Sequence, residues 1–104
     1  METYTVTLYD MRDFHDPDEH WSITGFPTLE LAKEFVRRWT RDSLEALRQP
    51  SLKPEELRRQ FFDFGEGGET GDYVGTSELD FFIANPATTE ERDWKEIKRL
   101  AGIS

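Results

Sequence analysis

Cysteine is absent from the 104 residues. That excludes a disulfide framework, a thiolate nucleophile and every cysteine-ligated zinc or iron–sulfur site. Long apolar runs are absent as well: no stretch approaches a membrane span, and no signal-peptide pattern precedes the first strand-like segment. Positive charge is scarce, with 13 Lys+Arg against 22 Asp+Glu and a net charge of −9. Direct binding of nucleic acid or of anionic lipid is therefore not expected, because neutralising phosphates takes clustered Lys and Arg. Apolar residues amount to only 36%, yet 13% of the chain is aromatic, too much for a disordered acidic tail. What is present implies a small core built from Phe and Trp, each removing a large apolar area from water. A chain of this length supports one such core, so residues 1–104 are expected to form a single domain, soluble and cytoplasmic.

Residues 3–9 alternate Tyr4, Val6 and Leu8 with Thr3, Thr5 and Thr7, the period of a half-buried strand with its threonine face toward water. Trp21 and Ile23, alternating with Ser22 and Thr24, predict a second strand that Gly25 and Pro27 stop. Thr28 is placed to cap a helix. Leu31, Ala32, Phe35, Val36, Trp39, Ala46 and Leu47 then recur at mostly helical spacings, and Pro50 ends the run. Pro54 followed by two acids restarts a helix with Leu57 and Phe61 on one side and Gly65 as a left-handed stop. Residues 66–72 hold three glycines and no apolar side chain, and read as a mobile loop. Tyr73 and Val74 begin an edge strand. Residues 78–84 read as an interior strand with Leu79, Phe81 and Ile83 on one face. Thr88 and Glu91 have capping-box spacing ahead of a last helix striped by Trp94, Ile97 and Ala101 and ended by Gly102.

The order ββααββα describes an α+β domain: a small, mostly antiparallel sheet of three to four strands packed against two to three helices. Its expected core is Val6, Leu8, Phe35, Trp39, Leu57, Phe81, Ile83, Trp94 and Ile97.

Charge is unevenly spread. Residues 1–29 carry six acids and one base, residues 30–59 six acids and eight bases, and residues 60–104 ten acids and four bases. No Lys or Arg occurs between Arg59 and Arg92, an interval with eight acids. Such polarity steers partners at long range. Lys33, Arg37, Arg41 and Arg48, with Glu30, Glu34 and Glu45 three or four residues away, read as a solvated, salt-bridged helix face.

Both histidines fall in residues 10–20 among five acids. Asp13, His15, Asp16 and His20 have the donor chemistry of a cysteine-free Zn²⁺, Mn²⁺ or Ni²⁺ site. Pro17 between Asp16 and Asp18, with no following glycine or closing glutamate, departs from a calcium loop, and the same residues also suit a polar connection between strands. Only Arg12 is at hand to stabilise developing negative charge. Ser22 and Ser77 lie in no nucleophile elbow, and the glycine segment has no phosphate-binding lysine. No catalytic residue and no cofactor are expected. Adjacent Phe61 and Phe62, like Phe81 and Phe82, cannot all face one core; the other member of each pair belongs either to a second apolar face covered by another helix or, for one or two of them, to a partner surface or a homodimer seam.

The function expected on these grounds is a non-enzymatic interaction or regulatory module binding a basic partner protein. Phe14, Asp16, Asp18, Trp21, Glu66, Glu69 and Tyr73 are its candidate contacts. Inhibitors, immunity-type proteins, antitoxin-like regulators and DNA mimics share that physics. The alternative is a divalent-metal-binding protein or metal-dependent enzyme centred on His15 and His20.

Overall fold

The alternating N-terminal segment becomes β1 (Tyr4–Asp10), an interior strand of the sheet in the computed structural model, which describes residues 2–103. It pairs antiparallel with β2 (Trp21–Phe26) on one side and β3 (Glu66–Thr70) on the other. β4 (Tyr73–Val74) adds to β3 through a tight hairpin, and the order across the sheet is β2-β1-β3-β4. α1 (Leu29–Leu47) crosses one face of this sheet, its first turn closed by the Leu31 N–H donating to Thr28 Oγ1 at 3.1 Å. α2 (Pro54–Phe64) starts on its proline, with the Lys53 N–H donating to Glu56 at 2.9 Å. α3 (Leu79–Ala84) and α4 (Trp94–Leu100) complete an α+β domain.

Two apolar clusters share α1. Val6 and Leu8 meet Phe26, Ala32, Phe35, Val36 and Ile97 between the sheet, α1 and α4. Tyr9, Met11, Leu44, Leu57, Phe61, Leu79, Phe82 and Ile83 form the second, around the C-terminal half of α1 with α2 and α3. Each fully buried large side chain stabilises the fold by roughly 1.5–3 kcal/mol relative to exposure, so α1 holds both halves together.

Residues 66–72 are not a mobile loop. Five of them form β3, and the glycines serve close approach: a Cβ on Gly68 would stand 2.6 Å from Leu8 Cδ2, and one on Gly67 2.8 Å from Met11 Sδ. Only a strand without side chains fits beside the large residues of β1 there. Residues 78–84 are not a strand. Leu79, Phe82 and Ile83, at i, i+3 and i+4, bury one side of α3 and turn Phe81 outward, 57% exposed. A short apolar run bounded by turns carries no periodicity long enough to separate helix from strand. Trp39 and Trp94 are half-buried at the edge of the first cluster rather than inside it. Gly65 ends α2 at φ −82°, not left-handed; its lack of a Cβ makes room for the Phe61 ring. The Thr88–Glu91 capping box forms, but it closes a short turn ahead of α4, and Asp93 caps α4 itself.

Candidate functional site

The β1–β3 register sets Asp10 opposite Glu66, and the Met11 N–H donates to the Gly65 carbonyl at 2.9 Å. The 10–19 segment thus leaves the sheet beside the start of β3, through two short 3₁₀ turns, Met11–Asp13 and Pro17–Glu19. Asp16 caps the second turn, accepting from the Asp18 N–H at 3.0 Å, and Phe14, Asp16 and Asp18 face solvent. Strand alternation turns Glu66 and Gly68 toward α1 and Glu69 to the opposite face. Glu66 lines a hollow of about 90 Å³ with Trp39, Asp42, Ser43 and Trp94, and its N–H donates to Ser43 Oγ at 2.7 Å. Burial, and then the facing Asp10, hold the Glu66 carboxyl above the usual carboxylate range.

All three tryptophans of the chain gather here. Trp39 and Trp94 lie 4.8 Å apart between ring centroids, Trp21 stands edge-on to Trp39 at 6.4 Å, and Phe35 supports the pair at 5.7 and 5.9 Å. Asp42 accepts from Trp94 Nε1 at 3.0 Å and from Arg92 Nε at 2.9 Å, which fixes the Trp94 ring. Trp39 Nε1 is buried without a partner among the described residues. Aromatic faces beside unpaired carboxylates form an environment for a cationic side chain.

The structure gathers only part of the expected contact set. Phe14, Asp16, Asp18, Trp21 and Glu66 belong to this end of the sheet. Glu69 projects from the far face, where it and burial push the Tyr9 hydroxyl up to about 12, burial being the larger cause. Tyr73 sits on the opposite edge strand, three strand spacings or about 14 Å from Trp21. There it donates to Glu78 and carries the Arg37 guanidinium over its ring. His20 packs on Tyr9 with Nε2 at 3.0 Å from the Phe14 carbonyl, and the His15 ring lies against Phe14 at a 40° tilt. Among the described residues, no three His, Asp or Glu side chains are placed to hold a metal ion.

Asp10, Trp39, Asp42 and Trp94 escaped the sequence reading as site residues. Trp39 and Trp94 carried a helical-stripe signal that pointed to the core; Asp10 was marked only as one acid of the 10–19 segment, and nothing local marked Asp42.

Pairing separates the acids into two populations. The eight ion pairs among the described residues join bases at 33–58 and Arg92 to Glu34, Asp42, Glu45, Asp72, Glu78, Asp80 and Glu91. No acid of residues 10–19 enters one, nor does Glu66. Among the described residues no helix is long and apolar enough to cross a membrane. No protein-family model matches the chain, and neither a curated protein nor a solved structure does.

Proposed function

We propose that the chain is a non-enzymatic, cytoplasmic interaction module whose acid end binds a basic segment of a partner protein. The observation that carries this reading is the meeting of Asp10 and Glu66, unpaired and face to face, beside three tryptophans and the exposed Asp16 and Asp18. Like charges set directly opposite in a sheet are destabilising, so the fold retains a local cost that a cationic side chain would offset. The remaining acids at 13–19 supply the field that steers such a partner, and Trp21 and Phe14 supply apolar contact area.

The test measures association with a lysine- and arginine-rich peptide. Raising salt from low to ~0.15 M shortens the Debye length to about 8 Å and should slow association. Asp16→Lys with Asp18→Lys should slow it further while lowering the melt only modestly, since both side chains are exposed and the contact given up is the Asp16 cap on the Asp18 N–H. A rate indifferent to both changes rejects the reading. Glu66 and Glu69 are unsuitable for reversal because both lie within β3, and a lysine at 66 would pair with Asp10.

A further inference from the structure

Phe62 and Phe81 remain 37% and 57% exposed while their neighbours Phe61 and Phe82 are buried. They flank the Arg58–Asp80 ion pair that ties α2 to α3, with the Arg58 guanidinium 5.4 Å from the centre of the Phe62 ring. Two hollows of about 340 and 360 Å³ open nearby, the first between the α1–α2 connection and the start of α2, the second between α2 and α3, sharing Pro54 and Ile83 in their walls. Projecting rings and cavities to receive them therefore occur on one chain. At about 100° per residue, Glu55, Arg59 and Phe62 fall on a common outward stripe of α2. Neither Glu55 nor Arg59 has an ion-pair partner among the described residues. Residues 53–64 balance Lys53, Arg58 and Arg59 against Glu55, Glu56 and Asp63, in a protein whose net charge is −9.

We propose that this face is the seam of a two-fold homodimer. In it α2 runs antiparallel to its copy, each Glu55 meets the other chain's Arg59, and the exposed phenylalanines enter the copy's hollows. A two-fold interface must be self-complementary, and this stripe is so in both shape and charge. A neutral stripe offers a cationic partner no net attraction, whereas it is a place where two chains of −9 can approach without strong repulsion. The proposal is independent of the acid-end reading.

Sedimentation of the protein from ~1 µM to ~1 mM decides it. The 12.2 kDa chain should double in mass as concentration rises. Phe62→Ser with Phe81→Ser should abolish the doubling while leaving the circular dichroism intact, with a somewhat lower melt because Phe62 gives up its contacts with Phe61 and Arg58. Glu55→Arg should weaken association about tenfold, and adding Arg59→Glu should restore it. Asp16→Lys with Asp18→Lys should leave the dimer unchanged, which separates this test from that of the acid end. A monomer at every concentration overturns the proposal. So does a dimer that survives loss of both phenylalanines, or a double charge swap no better than the single one.

Discussion

Glu66 and Glu78 come from the same base-free stretch and both are partly buried, but the fold puts them in opposite circumstances. Glu78 accepts from the Tyr73 hydroxyl and from Arg37 Nε at 3.1 Å. Burial alone would raise its carboxyl, yet these two donors hold it below the usual range. Glu66 meets Asp10 instead, and burial and that neighbour push it up. The difference extends to whole segments. Acids at 72–91 are largely drawn onto the bases of α1 and α2, through Lys33–Asp72, Arg37–Glu78, Arg41–Glu91 and Arg58–Asp80. Acids at 10–19 enter no ion pair among the described residues, and Asp10, Asp16, Asp18 and Glu19 face water. A sequence polarised in charge has folded one of its acidic segments against its own basic segment and left the other free to act on something else.

The largest expected effect tests whether one core holds both regions. Phe35 is fully buried against Phe26, Trp39 and Trp94, so Phe35→Ala should cost about 3–5 kcal/mol in denaturant unfolding and loosen the tryptophan site along with the helices. A midpoint equal to the parent's would break the link between the two regions.

On the paired side, Arg41 donates to the Asn85 carbonyl at 2.6 Å and reaches Glu91 at 3.5 Å from a nearly buried position. Arg41→Met should lose about 2 kcal/mol, mainly by leaving that carbonyl without its donor. A neutral result would mean that the cross-fold pairs contribute nothing and that the two acid populations are energetically alike.

Glu78→Gln should cost about 1 kcal/mol at neutral pH. That is below the usual figure for charge-assisted bonds, because a third of the side chain is exposed and screened. A depressed carboxyl stabilises the fold above its ordinary value, and that contribution fades as pH falls below it. The variant and the parent should therefore converge in acid, and melts at pH 7 and pH 3 read this directly.

Glu66→Gln should do the reverse and on the smallest scale, raising stability at pH 7 by about 0.2–1 kcal/mol through removal of a facing like charge. Its folded form binds a proton more readily than the unfolded chain does. The cost of ionisation thus appears as pH rises from the ordinary glutamate value, and the advantage of the variant should vanish in acid. A variant less stable than the parent at neutral pH would place Glu66 among the paired acids.

Local signals read well wherever the interacting groups are neighbours in sequence. The Thr28 cap, the proline start of α2 and the alternation of β1 all depend on contacts within a few residues, and each appears as expected. The adjacency of two phenylalanine pairs implied only that neither pair could face one core together; that Phe62 and Phe81 are left exposed, with no helix among the described residues covering them, was decided by the packing. β3 was illegible because its glycines answer to Leu8 and Met11, some sixty residues away in the chain. Helix α3 was illegible because six residues hold less than two helical turns of pattern.

The amino-acid sequence by itself determined the α+β class, the order of the first four elements, the long central helix, the lack of thiol chemistry and the excess of negative charge. These follow from composition and from periods of two and 3.6 residues. Apart from Glu34 and Glu45, whose partners lie three or four residues away, tertiary structure alone decided which acids are neutralised and where the tryptophans meet. Arg37 finds Glu78 across 41 residues, and Trp94 finds Asp42 across 52. No helical or strand period spans such distances; only the packing of α1 against β3 and α4 brings those groups within hydrogen-bond reach.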